Sequence, residues 1–221
     1  MADAAIIAVG SELLTADKID TNSLWLTDQL NTLGVEVRRK LVVGDDRKLL
    51  AESIRQVLND ADIVILTGGL GPTEDDVTRE ATGEALGRTL VFRQDLLDAL
   101  IERFQRLNRK MADNNHRQTF LVEGAEPLPN DRGTAPGQWI ECGGKTVMLL
   151  PGPPNELKAM FSGQCVAKLR AKLPVQVIRT RFYRVAGMGD HSALLGDLCC
   201  IRCHRFICVF LAVDVRYTAS R

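Results

Sequence analysis

Hydrophobic and polar positions alternate along this chain in two rhythms. Ala4 to Val9 is a continuous apolar run, and Asp62 to Thr67 is a second, each of a length that suits a strand buried on both faces. Between them, from Asp20 onward, Leu26, Leu30 and Leu33 recur at helical spacing, and Gly34 stands where such a helix would stop. Val35 to Val43 then alternates as a strand with Gly44, Asp45 and Asp46 at its exit, and Leu50, Ile54, Val57 and Leu58 mark a second amphipathic helix. A third helix is expected from Val77 to Leu86, closed by Gly87. Three strand-then-helix units in succession predict a mostly parallel sheet with helices on both faces, an α/β three-layer sandwich.

The second half follows a looser pattern. Leu97, Leu100, Ile101, Phe104 and Leu107 line one face of a longer helix and are expected mostly in the core, and residues 114–120 are expected to extend it after a break. Gly124 to Gly137 holds Pro127, Pro129 and Pro136 among its glycines, which excludes a helix and predicts a loop. Gln138 to Cys142 and Lys145 to Leu150 read as two strands joined by a tight turn at Gly143 and Gly144. Pro151, Gly152, Pro153 and Pro154 make a rigid exit before a helix that starts near Glu156. That corner either leaves room at Gly152 for a ligand or simply turns the chain.

Candidate chemistry gathers where strands end. In a parallel sheet, ligands sit beyond the carboxyl ends of the strands, near the point where strand order reverses. Gly10-Ser11-Glu12, Gly44-Asp45-Asp46 and the run from Gly68 to Asp76 all follow strands, so all three open on that edge. The third is the most specific: Thr67, Gly68, Gly69, Leu70, Gly71, Pro72 and Thr73 lead into the paired carboxylates Asp75 and Asp76 and then Thr78. Glycines there let backbone N–H groups approach an anion, and a following helix N-terminus adds its dipole. Bare carboxylates would repel a phosphate, so their presence suggests a bridging divalent cation, magnesium or cobalt, held by Asp75 and Asp76. A plainer alternative makes Asp76 the cap of the helix that follows.

The 221 residues suffice for one sizeable domain. Lys and Arg together equal Asp and Glu at 28 each, so no net positive field argues for nucleic acid. The N-terminal apolar run lacks a basic leader, and no stretch approaches the roughly 20 apolar residues of a membrane span. A cytoplasmic protein without membrane or nucleic-acid partners is the expectation. Cys199, Cys200, Cys203, His204 and Cys208 crowd together, but without a second ligand pair across a folded loop they make an incomplete zinc site. His116 and His191 stand alone.

With these pieces assembled, the chain resembles the competence- and damage-inducible CinA family, whose N-terminal part has the MoaB/MogA-type molybdopterin-binding fold. Gly10-Ser11-Glu12-Leu13-Leu14, the stretch from Thr67 to Thr78, Thr134-Ala135-Pro136-Gly137 and Leu150-Pro151-Gly152-Pro153-Pro154-Asn155-Glu156 carry the likeness, which runs from about Ala4 to Gly189. It implies a MoaB/MogA-like domain over residues 1–170, the start of a following segment over 171–190, and a divergent, irregular Cys-rich tail over 191–221, read as a truncated or frame-shifted terminus. It also implies a small-molecule nucleotide or pterin phosphate as partner, homo-oligomer formation, and metal-dependent hydrolysis of the pyrophosphate of ADP-ribose or a related dinucleotide. By the same resemblance Asp45 or Asp46, together with Asp76, are the catalytic acids, while Gly10, Ser11, Glu12, Thr67, Gly68, Gly69, Gly71, Pro72, Thr73, Thr78, Pro151, Gly152 and Pro153 surround the phosphates. Two alternatives stay open: adenylyl transfer to a molybdopterin, and a non-catalytic module of a CinA protein whose nicotinamide-nucleotide amidase domain is missing.

Overall fold

The computed structural model describes residues 2–173 together with the backbone of two further strands, Gln176–Val185 and Leu211–Ser220. Strand β1 (Ala2–Val9) leads through helix α1 (Thr21–Thr32) to β2 (Val35–Val43), then through α2 (Arg47–Asp60) to β3 (Ile63–Thr67) and α3 (Thr78–Leu86). These elements start and stop for local reasons. Asp20 accepts the Ser23 N–H at 3.0 Å and so caps α1, while Gly34, with φ at 76°, turns the chain after it. Asp46 accepts the Lys48 and Leu49 N–H groups, each at 2.9 Å, and caps α2.

After α3 come β4 (Leu90–Phe92), α4 (Gln94–Arg106), a 3₁₀ segment (Asp113–Thr119), β5 (Phe120–Val122), β6 (Glu126–Leu128), β7 (Gly137–Cys142) and β8 (Lys145–Leu150). Helix α5 (Pro154–Met160) passes through a π turn into α6 (Val166–Lys172), and β9 (Gln176–Val185) and β10 (Leu211–Ser220) pair antiparallel. The main sheet has the order β2-β1-β3-β8-β7-β6; its first four strands are parallel, and β7 runs antiparallel to both its neighbours, β8 and β6. One apolar layer joins the sheet to α2 and α3 through Leu50, Ile54, Val57 and Ala81. The opposite layer joins it to α1, α5 and α6 through Leu26, Leu30, Leu157 and Leu169, with Trp25 edge-on to Phe161 at 5.8 Å. This is the three-layer sandwich.

Helices α1 and α3 follow the neighbouring strands β1 and β3 yet lie on opposite faces, so the sheet edge opens between them. Among the described residues no helix is long and apolar enough to cross a membrane.

Several expectations need correction. Helix α4 buries Leu100 but leaves Ile101 37% and Leu107 53% exposed, because it packs against the 3₁₀ segment and not across the main sheet. Residues 114–120 do not extend it: they form that 3₁₀ segment, and Phe120 belongs to β5, paired with β4 in a separate ribbon. The loop from Gly124 to Gly137 contains the short edge strand β6. Of the expected irregular tail, residues 211–220 are extended as β10. Gly187 to Asp190, His191, Cys199, Cys200, Cys203, His204 and Cys208 lie outside the described residues.

Candidate functional site at the carboxyl edge of the sheet

The loop after β3 is held by its carbonyls. Thr78, at the start of α3, donates its hydroxyl to the Gly68 carbonyl at 2.8 Å and its N–H to the Gly69 carbonyl at 3.2 Å. Arg79 donates Nη1 to the Leu70 carbonyl at 2.6 Å and Nη2 to the Gly71 carbonyl at 2.8 Å. Four consecutive carbonyls are therefore drawn toward α3. In a trans peptide the N–H points opposite to the C=O, so the N–H groups of Gly69 and Leu70 face the other way, and neither meets an acceptor among the described residues. Gly68 and Gly69 adopt φ of 99° and 65°, and a Cβ would overlap the Val9 carbonyl at the first and the Thr78 hydroxyl at the second. Successive free N–H groups in a turn are a kind of arrangement that can accept an anion.

Asp76 closes the far side of the loop. Its Oδ1 accepts the Gly71 N–H at 2.8 Å, and its Oδ2 accepts the Thr73 N–H at 2.8 Å and the Thr73 hydroxyl at 2.6 Å. It does not cap α3, whose cap position is Val77 with no side-chain bond. The space beside Gly71 is filled by this carboxylate, since a Cβ there would lie 2.5 Å from Asp76 Oδ2. Gly71 thus makes room for Asp76, not for a phosphate. Asp75 stays exposed on the rim.

The two other loops meet it. Ser11 and Asp45 bond reciprocally, Ser11 N–H to Asp45 Oδ2 at 2.9 Å and Asp45 N–H to Ser11 Oγ at 3.0 Å, which ties the β1 and β2 exits together. From the proline corner, Gly152 gives its carbonyl to Asn22 Nδ2 at 2.8 Å, and a Cβ on Gly152 would stand 3.5 Å from Gly68 Cα. Together these loops enclose a crevice of about 830 Å³.

Of the residues singled out from the sequence, Gly10, Glu12, Asp45, Thr67, Gly68, Gly69, Gly71, Pro72, Asp75, Asp76, Pro151, Gly152 and Pro153 line it. Ser11, Asp46, Thr73 and Thr78 do not. Ser11 orients Asp45, Asp46 caps α2, Thr73 belongs to the Asp76 clasp, and Thr78 is buried beneath the loop. The sequence reading missed Arg79, Asn22 and the Gln118–Thr134 pair, whose 3.1 Å bond forms part of the wall. Only Arg79 left a signal: a cation in the first turn of a helix opposes the helix dipole and so needs another reason to be there. Burial pushes its guanidinium below the ordinary arginine value, against the opposing pull of Glu80 and Asp76.

As a metal site, the crevice is open. Among the described residues no group of three or more His, Cys, Asp or Glu side chains could hold a cation. Glu12 and Asp75 nevertheless line the crevice with carboxylates that make no hydrogen bond within the described residues. Oxygen donors of this kind are the ones magnesium takes, whereas Asp76, expected beside Asp75 as a ligand, gives both its oxygens to the loop.

Residues 5–171 match the family described as "Probable molybdopterin binding domain". A CinA-like protein of Solibacter usitatus is 60% identical over 188 residues, 85% of this chain and 45% of that protein. A CinA-like protein of Acidobacterium capsulatum is 48% identical over 191 residues, 85% of this chain and 46% of that protein. The chain therefore spans less than half the length of these relatives. Among solved structures, the protein CinA of Thermoplasma acidophilum superposes with a TM-score of 0.69 at 31% identity, covering 75% of this chain and 96% of that one. A molybdopterin biosynthesis protein from Mycobacterium abscessus gives 0.52 at 18% identity, covering 77% and 94%, which shows a shared fold alone.

Proposed function

The chain belongs to the CinA family and carries its molybdopterin-binding type of domain, and from that membership we propose that the crevice binds a phosphate-bearing nucleotide and hydrolyses the pyrophosphate of ADP-ribose or a related dinucleotide. The observation that supports this most directly is the pair of unpartnered N–H groups on Gly69 and Leu70, turned toward the crevice because Thr78 holds the Gly68 and Gly69 carbonyls of the same two peptides on the other side. Such donors suit a phosphoryl oxygen at the point where charge accumulates during P–O cleavage. A volume of about 830 Å³ lies in the range of small-molecule sites.

Glu12 and Asp75 would hold the substrate-borne magnesium, which withdraws charge from the phosphoryl oxygens when bound. Asp45, with Oδ2 fixed by the Ser11 N–H, keeps Oδ1 to accept a proton from the attacking water. Water oxygen bonds to phosphorus, the bridging P–O bond breaks, and AMP and ribose 5-phosphate leave. Thr78 and Asp76 act through the loop's shape and touch no reacting atom. The binding unit in this reading is residues 1–170.

The family description favours a second reading, in which the same N–H groups hold a pterin phosphate. Incubation of the purified protein with ADP-ribose and magnesium or cobalt separates the two: AMP release is expected. Binding without AMP release would leave a pterin-directed or purely binding module, and absence of binding would end the phosphate-site reading.

A further inference from the structure

We propose that Arg79 is the positioning residue of the anion-binding loop, a buried cation that grips the Leu70 and Gly71 carbonyls so that loop amides and cationic charge both face the bound phosphate. The inference rests on the phosphate-site reading above and adds the residue that makes the loop receptive. Arg79 is 1% exposed, deeper than any other arginine among the described residues. Its two terminal nitrogens serve backbone carbonyls, and its Nε has no partner.

No carboxylate completes an ion pair with it among the described residues. Glu80 and Asp76 lie near enough to act on it through charge, but neither bonds to it: Glu80 Oε1 takes Arg117 Nη2 at 2.9 Å while its buried Oε2 has no partner, and both Asp76 oxygens take the loop. An unpaired buried cation is costly, and it sits where the helix dipole also disfavours it. A phosphate on the far side of the Gly69–Leu70 amides adds negative charge across one layer of peptide. The grip is also directional. Arg79 and Asp76 hold the same Leu70–Gly71 peptide from opposite edges, one at the carbonyl and one at the N–H. That fixes the plane from which the preceding amides project. A lysine carries the charge but lacks the planar fork that spans two successive carbonyls.

The test is a ¹⁵N–¹H NMR titration of the full chain with sodium pyrophosphate, on wild type, Arg79→Lys and Arg79→Met, with a thermal melt of each. In wild type the Gly69 and Leu70 amides and the Arg79 Nε–H should shift together while the Gly71 amide stays in place. Arg79→Lys should melt cooperatively and bind pyrophosphate about tenfold more weakly, and Arg79→Met more weakly still. Wild-type affinity in either folded variant overturns the inference, as does a wild-type Arg79 Nε–H that stays still while Gly69 and Leu70 shift. The latter measurement needs no variant to fold. A wild type that shows no pyrophosphate binding sinks the phosphate-site reading instead.

Discussion

Asp76 commits both carboxylate oxygens to its own loop, three hydrogen bonds in all, to Gly71 and Thr73. An asparagine offers one oxygen and turns an N–H₂ toward backbone donors. Asp76→Asn should therefore cost about 1–3 kcal/mol in urea denaturation and weaken nucleotide binding with it. Full stability with lost turnover would restore a direct catalytic role. Gly69→Ala should be worse, because φ is 65° and the new Cβ overlaps the Thr78 hydroxyl. At this scale the sequence showed the loop but not its supports. The run Gly68-Gly69-Leu70-Gly71 is legible as a tight loop at a strand exit, and Gly68 and Gly69 indeed take positive φ there. That Thr78 and Arg79 hold its carbonyls depends on how the chain folds back, which no spacing encodes.

The elements divide the work of the paired aspartates at the β2 exit. Asp46 belongs to α2 as its cap and stays out of the crevice, whereas Asp45 binds Ser11 and faces it. Asp46→Ala should cost about 1 kcal/mol of stability and leave ligand affinity unchanged. Asp45→Ala should do the reverse, lowering turnover with little change in the melt; a matched loss from both variants would contradict the division. Helices α1 and α2 were legible because each buries one face against the sheet, and β1 and β3 because a short continuous apolar run suits a strand buried on both faces. Helix α4 was misread for the opposite reason: its Leu97, Ile101 and Leu107 keep helical period, yet it rests on the 3₁₀ segment and leaves that face half open. The ribbon of β4 and β5 escaped notice because three-residue strands are too short to show a period.

Across the whole molecule, two apolar layers clamp one sheet and leave its carboxyl edge as the place where three loops converge. Among the described residues, every one that lines the crevice precedes residue 157, so a chain ending at Asp190 should keep its nucleotide affinity; a loss would bring the tail into the site. The core has its own titration. Burial pushes the Cys165 thiol up to about 12, partly offset by Lys168. With the folded value above the unfolded one of about 8.5, its contribution to stability is complete below that pH and is lost as pH rises toward 12. Iodoacetamide at pH 8 should accordingly modify the half-buried Cys142 well before Cys165, as read by peptide mapping. The central claim is that phosphates dock on the outward amides of the glycine loop, and Gly152 tests it most cleanly. Its Cβ would meet nothing closer than Gly68 Cα at 3.5 Å, an ordinary contact, yet it would stand over the loop. Calorimetric titration of ADP-ribose with magnesium into wild type and Gly152→Ala should show unchanged melting and an affinity at least about tenfold lower in the variant. Equal affinity in the two proteins would contradict the account.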